Sequence, residues 1–158
     1  MEIKIEIFVI DDDEDMIAAL KVILNHAQIE NVSFFSDPEK LLAALNSDVH
    51  ICIIDYFLNG GINGLNLINK IVKTNPYCWF IMSSGQNQLG VIIEFMNHTY
   101  GSRYVEKGAL DFTEKLIYHI KDIVKRINII ESVFYKAFKH KESLHELKHS
   151  LIDLKNKM

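Results

Sequence analysis

Short apolar runs alternate with longer amphipathic segments along residues 3–108 of the chain. The apolar runs are rich in Ile, Val and Phe, as expected for β-strands, whereas the segments between them repeat apolar residues at the period of an α-helix. We predict strands over 3–10, 32–35, 49–54, 79–82 and 103–106. Because strands that alternate with helices indicate βαβ units with right-handed crossovers, the pattern predicts a doubly wound α/β domain with a five-stranded parallel sheet.

Capping residues predict where the helices begin. Asp15 is expected to cap a helix over 16–26, because a carboxylate at the N-cap accepts hydrogen bonds from the first free N–H groups. Asp37 and Pro38 predict the start of the second helix, with Asp37 as the N-cap and Pro38 at the first helical position. The fourth helix is expected over about 88–97.

The segment after Gly108 contains no Gly or Pro, which predicts helix to the end of the chain. Apolar residues then recur at heptad spacing, at Leu144, Leu147, Leu151, Leu154 and Met158. This short repeat fits a coiled-coil dimer and a helix folded back on its own domain about equally well. Whether the helix is continuous or broken near 139–143 is open. We divide the chain into a domain at 1–125 and a C-terminal helical extension at 126–158.

The composition indicates a folded protein, since 49% of the 158 residues are apolar and 24% are charged. The net charge of −4 argues against a general nucleic-acid binder, although residues 136–158 carry six lysines and only three acids. Cys52 and Cys78 are expected to be reduced and buried. The sequence has no apolar stretch of signal-peptide length at its N-terminus and no run of about 20 apolar residues, which predicts a cytoplasmic protein without a membrane span.

Polar residues follow the predicted strands at their carboxyl ends. Asp11 and Asp12 follow the first strand, Asp55 the third, Ser84 the fourth and Lys107 the fifth. Open α/β sheets bind ligands at this edge. Three carboxylates at one point form a site for a hard cation such as Mg²⁺ or Mn²⁺. Together with a lysine and a hydroxyl they can hold a phosphoryl group, and a carboxylate nucleophile would give an acyl phosphate.

Asp11 and Asp12 open a run of five consecutive acids. Asp13, Glu14 and Asp15 are better placed at the N-terminus of the first helix, where the helix dipole favours negative charge. The run therefore divides into two ligand candidates and three helix-start residues.

Four motifs in order, VIDDDED, IIDYFL, IMSSG and YVEK, make the chain resemble a response-regulator receiver domain of two-component signalling. The resemblance covers residues 3 to about 125. It implies a flavodoxin-like sheet with strand order 2-1-3-4-5. It also implies a phosphoacceptor switch rather than an enzyme, with a histidine kinase or a histidine phosphotransfer protein as donor and an unknown downstream protein as partner. A homodimer through the C-terminal helix is a further possibility.

The resemblance also implies roles for individual residues. Asp55 is the phosphoryl acceptor. Asp12 and Asp55 bind Mg²⁺ directly, Asp11 binds it through water, and the backbone carbonyl of Phe57 supplies a further ligand.

The remaining implied roles concern the switch. Ser84 is the switch hydroxyl, Lys107 binds the phosphate, and Tyr104 lies at the aromatic switch position, where a ring turns inward when the hydroxyl moves to the phosphate. Two positions depart from the family pattern, since Asn59 and Gly108 stand where proline is usual.

The alternative is a Mg²⁺-dependent phosphatase that resembles the haloacid-dehalogenase family, with Asp11 as nucleophile. Asp13, Ser84 and Lys107 fit its other motifs loosely. No acidic pair follows Lys107 to complete the metal site, and Asp55 would have no role.

Overall fold

The computed structural model describes residues 4–85, 89–98, 103–139 and 144–157. The strands are β1 (Glu6–Ile10), β2 (Val32–Phe35), β3 (Val49–Asp55), β4 (Trp79–Ser84) and β5 (Arg103–Glu106). The helices are α1 (Glu14–His26), α2 (Pro38–Ala44), α3 (Gly64–Thr74), α4 (Leu89–His98), α5 (Phe112–Lys139) and α6 (Leu144–Lys157). All five predicted strands are present, and β1 begins at Glu6.

The strands form one parallel sheet in the order β2-β1-β3-β4-β5. This confirms the predicted doubly wound architecture and the strand order. The central strands β1, β3 and β4 are largely apolar because helices cover both faces of the sheet, as is usual for parallel sheets.

Alternate residues of the central strands fill two separate cores. Phe8, Cys52 and Phe80 point to one face, which packs against α2, α3 and α4. Val9 and Ile81 point to the other face, which packs against α1 and α5. Because strand residues alternate between faces, a single apolar run supplies both layers.

The predicted cap of α1 was wrong by two residues. Asp13, and not Asp15, is the N-cap, and its carboxylate accepts hydrogen bonds from the backbone N–H groups of Asp15 and Met16. Asp15 lies in the first turn, where the helix dipole still favours its charge. The second cap was predicted correctly, since Asp37 accepts from Glu39 N and Pro38 opens α2.

The C-terminal region forms two helices, α5 and α6, and the boundary proposed at 125/126 lies inside α5. Helix α6 packs against α5 and reaches the amino end of β4, where Lys155 Nζ donates a hydrogen bond to the Cys78 carbonyl at 2.8 Å. This is the folded-back arrangement. Within the heptad, Leu154 is 47% exposed, while Met158 and the side chains of Leu144 and Leu147 lie outside the description. Among the described residues, no helix has the length and apolar character needed to cross a membrane.

Candidate functional site

The strand register brings the predicted polar residues to one edge of the sheet. Ile10 is paired with Ile54, so Asp11 follows β1 directly beside Asp55 at the end of β3. Asp55 is paired with Ser83, and Ser84 with Glu106, which places Ser84 and Lys107 at the same edge. The Lys107 N–H also donates to the Ser84 carbonyl at 2.8 Å. Sequence-distant residues thus converge because the strands are parallel and in register.

Asp11, Asp12 and Asp55 form an acidic cluster in which one carboxylate oxygen of each lies within 4.8 Å of the others. Asp11 and Asp55 are buried, whereas Asp12 is partly exposed. An all-oxygen donor set of this kind suits Mg²⁺ or Mn²⁺. Asp55 Oδ1 is buried and has no hydrogen-bond partner in the described part of the chain. Because a buried charged oxygen without a partner is costly, this atom fits a bound cation.

Lys107 neutralises part of this cluster. Its Nζ lies 2.6 Å from Asp11 Oδ2 and 2.9 Å from Asp55 Oδ2. Burial alone would lower the pKa of Lys107, but its hydrogen bonds and charge interactions with Asp11 and Asp55 raise the pKa overall. Gly108, at φ +80°, turns the chain immediately after this lysine, which is a conformation that glycine adopts without strain.

Asp55 carries a raised pKa despite its lysine partner. Burial is the largest cause, Lys107 works against it, and the Asp11 charge adds to it. The backbone N–H of Phe57 also acts to lower the pKa of this carboxyl, and the Phe57 ring is 48% exposed. The Phe57 carbonyl as a metal ligand stays a prediction.

Ser84 and Tyr104 are joined by a side-chain hydrogen bond. Ser84 is buried, and Tyr104 packs against the core on the α3 and α4 face. Burial raises the pKa of Tyr104, and the nearby Glu106 charge adds to this shift. The two residues predicted to move together are therefore in direct contact.

Gly64 was missed as a site residue. A Cβ at this position would lie 2.6 Å from the backbone oxygen of Asp55 and 3.0 Å from Tyr56 Cα. Its N–H donates to the Tyr56 carbonyl at 2.8 Å, so the chain returns closely to the end of β3. A bridge between Phe57 and Asn63 closes the loop between them. The glycine-rich sequence NGGING signals a tight loop, but it does not identify which glycine approaches Asp55.

A parallel sheet of order 2-1-3-4-5 with a strand-end acid cluster and lysine is the architecture of a flavodoxin-like α/β protein. The model of the response regulator receiver domain family matches residues 7–128, and the chain belongs to this family.

Three known proteins are similar to this chain in sequence or in fold. The C4-dicarboxylate transport transcriptional regulatory protein DctD of Rhizobium meliloti (strain 1021) is 28% identical over 109 residues, which are 69% of this chain and 22% of DctD. The response regulator DrrB of Thermotoga maritima superposes with a TM-score of 0.63 at 24% identity, covering 77% of this chain and 53% of DrrB. A receiver domain protein of Clostridium thermocellum superposes with a TM-score of 0.68 at 18% identity, covering 80% and 99% of the two chains. The chain thus spans about a fifth of the length of DctD.

The phosphatase alternative is not supported. The family match is to receiver domains. Asp13, the second acid of the alternative, caps α1 with its carboxylate instead.

Proposed function

We propose that this receiver domain is a phosphorylation-controlled switch that accepts a phosphoryl group on Asp55 in a Mg²⁺-dependent reaction. The observation that carries the proposal is the arrangement around Asp55. One carboxylate oxygen lacks a hydrogen-bond partner, and the other lies 2.9 Å from Lys107 Nζ. A nucleophilic oxygen, a cation site and a fixed positive charge therefore meet at one carboxylate.

The donor we propose is a phosphohistidine of a histidine kinase or of a histidine phosphotransfer protein. An Asp55 oxygen forms a bond to phosphorus while the bond between phosphorus and the imidazole nitrogen breaks, and the imidazole leaves with that electron pair. The product is an acyl phosphate. Lys107 pairs with a phosphoryl oxygen in place of the Asp55 oxygen that it held before. Asp11, Asp12 and Asp55 would hold a divalent cation, which would neutralise negative charge on the transferred group.

The response we propose begins at Ser84. Its hydroxyl turns to donate a hydrogen bond to a phosphoryl oxygen, and Tyr104 loses the partner that it has in this structure. The Tyr104 ring then turns inward and changes the surface formed by α4 and β5. On α4 this surface exposes Ile93 and Met96, each by 51%, which suits a protein partner.

Output through protein contact is the form of signalling that we propose, and the downstream protein is unknown. The net charge of −4 gives little support to nucleic-acid binding. We expect the chain to act in the cytoplasm, where histidine kinases present their phosphoryl groups. Apart from self-catalysed phosphorylation and dephosphorylation, no turnover of a substrate is proposed.

The test is phosphorylation by acetyl phosphate, a small phosphoryl donor, followed by intact-mass measurement. We expect one phosphoryl adduct that requires Mg²⁺, is lost with EDTA and is released by hydroxylamine, as acyl phosphates are. Asp55→Asn should abolish the adduct, because the amide cannot act as the nucleophile. The matched control is Asp153→Asn, at an exposed position on α6, and it should be phosphorylated like the native chain. An equal adduct on Asp55→Asn would refute the proposal.

A further inference from the structure

A cleft lies at the amino ends of β3 and β4, on the opposite edge of the sheet from Asp55. Its volume is about 240 Å³, and α5 and α6 form one of its sides. The lining is largely apolar, and it includes the aromatic rings of Tyr77, Trp79 and Phe134. Leu151 and Lys155 of α6 close it from the C-terminal side.

Lys155 is a poorly compensated cation in this cleft. Its Nζ donates to the Cys78 carbonyl and lies 5.1 Å from the centre of the Trp79 ring. None of the ion pairs among the described residues includes Lys155, although Glu131 borders the same cleft. Burial lowers the pKa of Lys155 to about 8. A partly buried ammonium whose described partners are a carbonyl and a ring would be stabilised by an anion.

The remaining lining suits the apolar part of such an anion. A cavity of about 150 Å³ is already large enough to take up benzene, so the larger cleft can hold a ring and a short acidic side chain. His50 also borders the cleft, and its Nδ1 accepts a hydrogen bond from Glu6 N at 3.2 Å. In the neutral imidazole ring the proton is then on Nε2, which can donate a hydrogen bond to another partner.

We propose that this cleft binds a small organic monocarboxylate with one ring or a similarly sized apolar group, with its carboxylate on Lys155 and its apolar part between Trp79 and Phe134. Such a ligand would join α6 to the amino end of β4. It would give the domain a second input, distant from Asp55 and independent of the phosphoryl switch proposed above.

Trp79 provides a direct test because it is the only tryptophan of the chain. The full chain is titrated with phenylacetate, and the Trp79 fluorescence is expected to change and to saturate at millimolar concentration or below. Benzyl alcohol, which carries the same ring without the charge, is expected to bind at least about tenfold more weakly, since it cannot pair with Lys155. Absence of saturation with phenylacetate, or equal binding of the two compounds, would overturn the proposal.

Two lysine variants complete the test. Lys155→Met keeps the apolar stem and removes the charge, and calorimetry should then find phenylacetate binding at least about tenfold weaker. Lys125→Met removes an exposed charge of α5 and should leave binding unchanged. Native affinity in Lys155→Met would contradict the assignment. The comparison of the two compounds on the native chain decides the question even if Lys155→Met loosens α6.

Discussion

Lys107 allows acidic side chains to share one edge of the sheet before any cation binds. Its Nζ contacts Asp11 and Asp55 at 2.6 and 2.9 Å, and all three side chains are largely buried. A bound divalent cation would offset the same repulsion. The lysine and the cation are therefore partly interchangeable for the stability of this cluster.

We predict that Lys107→Met destabilises the chain in EDTA by about 2–4 kcal/mol, because it leaves buried carboxylates without their cation. Millimolar Mg²⁺ should restore much of this loss by binding the same carboxylates. The measurement is urea unfolding of the native and variant chains with EDTA or with Mg²⁺.

The control for this prediction is Lys115→Met. Its ion pair with Asp111 is as short, at 2.7 Å, but both partners are well exposed, so water screens the pair and the loss should be much smaller than in Lys107→Met. It should also not depend on Mg²⁺. A loss in Lys107→Met that is the same with and without Mg²⁺ would mean that the lysine does not act through the acidic cluster.

The second prediction at the scale of single residues concerns Gly64. In Gly64→Ala the new methyl group meets the Asp55 carbonyl at 2.6 Å, and the backbone must move. We expect a loss of about 1–3 kcal/mol in unfolding free energy and slower phosphorylation by acetyl phosphate, since the displaced atoms flank the acceptor. Gly90→Ala is the matched control, because nothing lies within 4 Å of its added Cβ. Equal phosphorylation rates for both variants would refute the link to the acceptor.

The candidate site could be predicted from sequence to the extent that it follows from strand ends. Asp55 ends β3, and Lys107 follows β5. Because the strands are parallel, their carboxyl ends lie at one edge of the sheet. The Gly64 contact could not be predicted, because it depends on how closely a loop returns to the backbone of β3. The cap at Asp13 was missed because three adjacent acids were equally suited to it by chemistry, and only the path of the chain selects one.

At the scale of elements, the local sequence pattern determines which segments form strands and helices. It does not determine which surface a helix packs against. The short apolar runs predicted every strand, and Asp37 with Pro38 predicted the start of α2. Both signals are contained in a few adjacent residues. The surface against which α6 packs could not be predicted in this way. Its heptad pattern marks an apolar face, but a face of this kind can pack against its own domain or a second copy. The structure places Lys155 of α6 against β4.

We predict that the docking of α6 strengthens as the pH rises. Burial lowers the pKa of Lys155 from 10.5 to about 8 in the docked helix, so the docked form binds fewer protons between these values. Raising the pH from about 8 towards 10.5 therefore favours docking, and below about 8 the dependence levels off because the lysine is protonated in both forms. The measurement is acrylamide quenching of Trp79, which should decrease as the pH rises, because docked α6 shields the ring.

Other groups at the cleft also titrate, so a control must isolate the lysine. Glu131, His50 and Tyr77 border the cleft, and Cys78 is the residue whose carbonyl accepts from Lys155. All of them remain in Lys155→Met, which removes only the ammonium group. The dependence of quenching on pH should be much weaker in this variant. An unchanged dependence would assign the effect to one of the neighbouring groups.

At the scale of the whole molecule, the two ends of the sheet carry different groups. The acid cluster and Lys107 lie at the carboxyl ends of the strands, and α6 lies at the amino ends. The charge is also unevenly distributed along the chain. Residues 136–158 carry a net charge of +3, and the preceding residues carry a net charge of −7. Attraction between a basic extension and an acidic domain favours an extension that folds back on the same chain, and salt weakens this attraction.

The last prediction concerns the oligomeric state of the chain without phosphorylation. Leu151 and Ile152 face the cleft beside Lys155, while Leu154 is 47% exposed, so docking divides the heptad face between the domain and solvent. A coiled-coil dimer would need the whole face, and α6 cannot supply it while docked. We therefore expect the full chain to sediment as a monomer of 18.3 kDa at micromolar concentration, with Leu154→Glu unchanged in mass. A dimer that Leu154→Glu dissociates would instead mean that the heptad pairs two chains and that α6 leaves the cleft to do so.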